Sequence, residues 1–129
     1  VTYDLLPFER CPADLFSVEI PKREFLLGNS LPLGAIALLI SMGGLGKSTL
    51  AILIGLSKAI GRGLLADLVP DGPGKVFYIS LEDDRPEVLR RVQAIARQYC
   101  LTGEEIRLVS ENFSFLCLSK FEVIQNEKR

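Results

Sequence analysis

The chain has 129 residues, 48% of them hydrophobic and 24% charged, with a formal net charge of -1 and no histidine. That length is about one small domain with an interior large enough to bury a core, and the composition excludes a disordered chain, while the charge balance supplies no basic footprint for nucleic acid. The missing histidine removes Ser-His-Asp and Cys-His catalysis and every histidine metal site at once.

Cys11, Cys100 and Cys117 have no metal-ligand spacing and read as reduced thiols filling a core. The apolar stretch from 31 to 60 is cut at Gly43 to Ser48. Neither side reaches the roughly 20 uninterrupted apolar residues of a spanning helix, and the opening VTYDLLPFER lacks a charged-then-apolar signal pattern. The expectation is a soluble, cytoplasmic protein with no membrane partner.

In chain order, residues 1–30 carry Pro7, Pro12 and Pro21 without a sustained period and read as an irregular lead-in holding one short strand. Residues 31–129 form the predicted domain. It starts with AIALLIS at 35–41, a continuous apolar run of the kind buried on both faces of a parallel sheet. After a glycine loop, STLAILIGLSKAI is apolar on nearly every side and predicts a buried helix stopped by Gly61 and Gly63. A Pro-Asp-Gly-Pro-Gly loop precedes VFYIS at 76–80, a second strand, and strand, helix and strand together predict a right-handed βαβ unit.

From Pro86 to Cys100, Val88, Val92, Ile95 and Tyr99 share one face of an amphipathic helix, with Asp84 placed to cap it. Arg85, Arg90, Arg91 and Arg97 read mostly as its solvated face, the alternative being a transition-state arginine for a neighbouring subunit or a contact to DNA phosphate. Thr102-Gly-Glu-Glu105 has capping-box spacing for another helix, and FSFLCL at 113–118 reads as a third strand.

The chemistry concentrates in SMGGLGKST, 41–49, which matches the phosphate-loop pattern G-x-x-x-x-G-K-[ST] with Ser41 at the first glycine position. Such a loop works because successive backbone N–H groups and a helix N-terminus point at an anion while a lysine adds positive charge. Gly43, Gly44 and Gly46 are expected to turn the backbone at positive φ, whereas Ser41 sits at a strand exit and keeps negative φ. The predicted nucleotide-binding set is Gly43, Gly44, Leu45, Gly46, Lys47, Ser48 and Thr49. Lys47 reaches the β- and γ-phosphates of ATP and the Ser48 hydroxyl ligates Mg2+. Acids at the end of a neighbouring parallel strand lie beside the γ-phosphate, so Glu82 is the candidate base for the attacking water and Asp83 a second holder of that water or of Mg2+. Asp84 is assigned to the helix cap alone. The competing reading of the loop is a structural glycine turn in an α/β interaction protein.

Taken together, SMGGLGKST, VFYIS and LEDDRPEVLRR resemble the RecA-fold ATPases of the plasmid RepA type, hexameric replicative helicases, and the AAA-family ATPases grouped with them, over about residues 26–98. The resemblance implies an α/β P-loop NTPase fold with a RecA-like parallel sheet and flanking helices. It implies ATP hydrolysis at subunit interfaces of a hexamer with Mg2+, Lys47 and Glu82 acting in catalysis, and movement along single-stranded DNA. It also implies a later apolar strand ending in aspartate (Walker B), which FSFLCLSK does not supply. The chain is therefore expected to be the N-terminal part of a longer ATPase or a truncated product, binding ATP and turning it over poorly. Two alternatives stay open: a nucleotide-binding module that does not hydrolyse, and a RadA- or KaiC-like RecA-fold ATPase without helicase activity.

Overall fold

The computed structural model describes residues 9–118. Residues 1–8 of the predicted lead-in and 119–129 of the predicted ATPase region lie outside the described residues. Among the described residues seven elements follow one another: β1 (Phe25–Leu27), β2 (Leu31–Pro32), α1 (Lys47–Ile60), β3 (Val76–Ser80), α2 (Arg85–Gln98), α3 (Gly103–Asn112) and β4 (Phe113–Cys117).

The centre of the molecule is α1. Its apolar residues surround the helix, and Ile52, Leu53, Leu56, Ala59 and Ile60 are all buried, packed with Leu64, Val88, Ile95 and Phe113. Gly55 lets the helix approach the sheet: a Cβ there would stand 2.9 Å from the Phe113 ring and 3.2 Å from Val76. The buried Ser57 hydroxyl is satisfied from both sides, donating to the Leu53 carbonyl at 3.0 Å and accepting from the Leu64 amide at 3.2 Å. Gly61 ends the helix in the left-handed conformation (φ 74) with its N–H on the Ser57 carbonyl, as the sequence leads one to expect.

β3 and β4 pair in parallel, from Val76 opposite Phe113 to Ser80 opposite Cys117. The crossover between them runs through α2 and α3. Both helices are capped as their sequences dictate: Asp84 accepts from the Glu87 amide at 2.9 Å, and Thr102 and Glu105 satisfy each other's backbone N–H groups reciprocally. Arg62, just past α1, fastens α3 to α1 by donating through Nε and Nη2 to the Glu105 carboxylate at 2.6 and 3.1 Å. β1 and β2 form a small antiparallel pair that buries Leu27 against the loop after α1, bridging Leu27 to Pro70.

Three expectations are corrected. The run 35–41 forms no strand and pairs with none among the described residues; Ile36, Leu38, Leu39 and Ile40 are exposed. A strand satisfies its backbone only through a neighbour, and among the described residues the edge of β3 not taken by β4 is unpaired, so composition alone does not make this run a strand. The predicted βαβ unit accordingly forms one step later, as β3, α2 with α3, and β4. Second, among the described residues the sheet is covered on one face: Val76, Tyr78 and Ser80 turn inward to α1, while Phe77, Ile79 and Leu116 remain exposed. Third, two of the three cysteines are not core filler: Cys11 and Cys100 are exposed, while Cys117, half-buried, packs against the core as expected. No helix among the described residues is long and apolar enough to cross a membrane.

Candidate functional site

The start of α1 is built differently from the starts of α2 and α3. Its N-cap is Gly46, at φ 83, which offers no side-chain acceptor, and the first turn holds no acidic residue. The N–H groups that α2 and α3 satisfy with Asp84 and Thr102 are thus left here without a side-chain partner, at the positive end of a helix of 14 residues. Gly44 (φ 76) and Gly46 (φ 83) adopt the left-handed conformation that lets the loop curl over this end. Gly43 does not, contrary to the expectation that all three would, and Ser41 keeps negative φ as expected. A Cβ at Gly43, Gly44 or Gly46 would meet nothing within 4 Å, so space remains beside the loop for a ligand.

Lys47 closes the loop. Its ammonium donates to the Ser41 carbonyl at 2.6 Å and the Met42 carbonyl at 3.0 Å. Ser41 therefore serves through its carbonyl, which any residue supplies, and this is why a serine can replace glycine at that position.

Opposite the loop, β3 delivers the acids. Ser80 is buried, and its hydroxyl accepts from the Asp83 amide at 3.0 Å, turning the chain sharply at the strand's end before α2 begins. Asp83 is held in turn by Arg91, which donates from Nη1 to Oδ2 at 2.8 Å and from Nη2 to Oδ1 at 3.4 Å. The same guanidinium donates through Nε to Glu87 at 3.2 Å. Arg91 and Asp83 keep side-chain exposures of only 25% and 15%, so this pair is partly shielded from water. Glu82 is exposed and enters no such pairing among the described residues.

These two ends meet in a cleft of about 360 Å³ lined by Gly44, Gly46, Lys47, Ser48 and Thr49 from the loop and helix, and by Glu82, Asp83 and Arg91 across from them. Gly43 and Leu45 of the predicted set do not line it, and Leu45 is exposed. The cleft joins a helix N-terminus and a lysine on one wall to carboxylates on the other. That is a donor set suited to a polyphosphate: unpartnered N–H groups and an ammonium for its oxygens, and an exposed carboxylate for a water beside it. Ser48 and Asp83 also reach this cleft, but the Asp83 carboxylate is engaged by Arg91, and no group of three or more acids, cysteines or histidines that could hold a metal occurs among the described residues. The cleft's donors fit Mg2+ only as an ion bound jointly with phosphate oxygens.

Sequence reasoning missed two residues here. Ser80 reads simply as the last residue of an apolar strand; the local signal was a hydroxyl three residues before an aspartate at a strand-to-helix turn. Arg91 reads as one of several solvated arginines, yet it lies one helical turn after Glu87 and eight residues after Asp83, a spacing that brings all three together only after the turn has folded.

A comparison with curated proteins finds no match. A family model described as an AAA domain matches residues 3–121, nearly the whole chain and all of the cleft described above. The chain, with its loop-capped helix and its strand ending in acids, belongs to the AAA domain family, a family of P-loop ATPase-like domains.

Proposed function

We propose that this chain binds ATP in the cleft between the α1 N-terminus and the end of β3 and forms part of an ATP-hydrolysing motor of the RecA-like, RepA helicase type. The observation that carries this is the convergence of Lys47 and Ser48 with Glu82 in one cleft, from segments more than thirty residues apart in sequence. On binding, the Lys47 ammonium exchanges its two carbonyl acceptors for oxygens of the β- and γ-phosphates, while the first-turn N–H groups of α1 hold the chain of phosphates from behind. The Ser48 hydroxyl would hold Mg2+ together with phosphate oxygens, and the ion would supply neutralisation of phosphate charge. Glu82 orients and deprotonates the attacking water. Asp83, held by Ser80 and Arg91, helps place that water or Mg2+ beside Glu82. Assembly into a hexamer and movement along single-stranded DNA are the further content of the RepA-type proposal.

The experiment is a titration with a fluorescent ATP analogue, with and without Mg2+, followed by phosphate release, on the wild type, Lys47→Ala and Glu82→Gln. Losing the lysine is expected to weaken binding by at least about tenfold. Glu82→Gln is expected to keep binding and lose phosphate release. Unchanged binding in Lys47→Ala would overturn the nucleotide site; unchanged release in Glu82→Gln would overturn the base. Binding with no release in the wild type would favour the module that binds without hydrolysing.

A further inference from the structure

β3 ends on Ser80, the last of its side chains turned toward α1 and, after the half-buried Val76 and Tyr78, the most buried of the three at 5% exposed. A hydroxyl in such a place costs stability unless it is hydrogen-bonded, and this one accepts from the Asp83 amide at 3.0 Å. The Ser80 carbonyl accepts in turn from the Leu118 amide at 2.8 Å, next to the pairing of Ser80 with Cys117. One residue thus ties the end of β3 both to β4 and to the turn that follows. Leu81 and Glu82 are carried between the two anchored ends of that turn, and Glu82 is exposed, with no side-chain pairing of its own among the described residues.

Glu82 also stands between two spaces. With Asp83 it lines the phosphate cleft on one side and, on the other, a hollow of about 340 Å³ walled by Leu81, Asp84, Arg85, Cys117 and Leu118. Its carboxylate has room on either side of the turn, and the second space offers it the attraction of the Arg85 guanidinium. Ser80 lines neither space, so it reaches a ligand only through the turn.

We propose that Ser80 is the positioning residue for Glu82: its hydroxyl, by latching the Asp83 amide, keeps the Glu82 carboxylate on the phosphate side of the turn; this rests on the reading of Glu82 as the base. The step it serves passes one proton from the attacking water to the Glu82 carboxylate as the water oxygen bonds to the γ-phosphorus and the bond to the β–γ bridging oxygen breaks, leaving ADP and phosphate. A base works only within hydrogen-bond reach of the proton it takes, and a displacement of about 1 Å costs on the order of a hundredfold in rate. Alanine at position 80 removes the acceptor of the Asp83 amide and frees the turn, whereas threonine keeps the hydroxyl on a β-branched side chain suited to a strand. Phosphate binding rests on Lys47 and the N-terminus of α1, on the other wall of the cleft, so the latch acts on rate and not on affinity.

The test uses the full chain and measures kcat by phosphate release, and affinity by calorimetric titration with a non-hydrolysed ATP analogue. It compares the wild type, Ser80→Ala, Ser80→Thr, Glu82→Gln and the double variant Ser80→Ala with Glu82→Gln, each checked for folding by thermal melting. Ser80→Ala is expected to lower kcat by about tenfold to a hundredfold and to leave affinity within about twofold, and Ser80→Thr to return kcat to within about threefold of the wild type. Because Ser80 works through Glu82, adding Ser80→Ala to Glu82→Gln should slow it by no more than about twofold. Four results would each overturn the role of Ser80 while leaving Glu82 as the base: an unchanged kcat in folded Ser80→Ala, a loss that falls on affinity instead, a folded Ser80→Thr as slow as Ser80→Ala, or the full effect of Ser80→Ala repeated on top of Glu82→Gln. Should Ser80→Thr not fold, Ser80→Ala and the double variant decide by themselves. No phosphate release from the folded wild type, or wild-type release in Glu82→Gln, would remove the base and this inference with it.

Discussion

Two apolar stretches on either side of the phosphate-type loop meet opposite fates. Residues 35–40 are apolar throughout and exposed; residues 50–60 are about as apolar and form the buried centre of the molecule. The difference lies in backbone hydrogen bonding. A helix closes its own N–H to C=O bonds, so α1 needs only surfaces to pack its side chains on, and it finds them on β3, β4, α2 and α3. A strand must borrow a ladder, and the unpaired edge of β3 is the place where residues 35–41 do not supply one. Hydrophobic content therefore decides what is available for burial, while the means of satisfying the backbone decides what is buried.

Paired truncations break this comparison most strongly. Leu56 is fully buried, and Leu56→Ala is expected to cost about 2–5 kcal/mol in urea unfolding, whereas Leu38→Ala, in the exposed run, should stay within about 0.5 kcal/mol. Equal losses at the two positions would mean that the run is packed in solution.

The glycines sharpen it. Gly61 and Gly44 share a φ of about 75°. A Cβ at Gly61 would stand 2.6 Å from the Pro73 nitrogen, while at Gly44 it would meet nothing within 4 Å. Gly61→Ala should lose about 2 kcal/mol or more, strain plus clash, and Gly44→Ala about 1 kcal/mol, strain alone. Gly44→Ala is nonetheless the change that should harm nucleotide binding, since it disturbs the curl of the loop rather than the core.

Smaller effects test the caps. Thr102→Ala removes the acceptor for the Glu105 amide and should cost about 0.5–2 kcal/mol in thermal or chemical melts. The α1 N-terminus has no such side chain to lose, and stability there should instead rise when a polyphosphate is added.

The smallest effect is one of pH. Hydrogen bonds from Arg62, and then from the Thr102 amide, hold the Glu105 carboxyl below its ordinary range. A depressed folded-state value means that the stabilisation is complete above the unfolded glutamate range and is lost as pH falls through the folded value. Arg62→Ala should lower stability at neutral pH and flatten the acid limb of the stability profile; an unchanged limb would show that the Arg62 pairing is cancelled by solvent.

Much of the fold and part of the candidate site were legible beforehand, and the reasons can be read residue by residue. The Asp84 cap, the Thr102–Glu105 capping box, the Val88, Val92, Ile95 and Tyr99 face of α2 and the Gly61 stop depend on neighbours within a few positions, and all are present. Lys47, Ser48 and Glu82 were singled out by loop spacing and by their place at a strand end, and they share one cleft. The one-sided sheet, the unpaired run 35–41, the exposed Cys11 and Cys100, and Arg91's hold on Asp83 were not legible.

The sequence by itself determined helices, caps, turns and the identity of the loop, because each of these is settled by contacts within a turn or two of chain. Only the tertiary structure decided which apolar run is covered, which face of β3 meets α1, and which arginine reaches from α2 to the acid at the end of β3. Those outcomes depend on what segments far apart in sequence can offer one another: ladder partners for a strand, a packing surface for a sheet face, and a carboxylate eight residues away brought beside a guanidinium by the turn at Ser80.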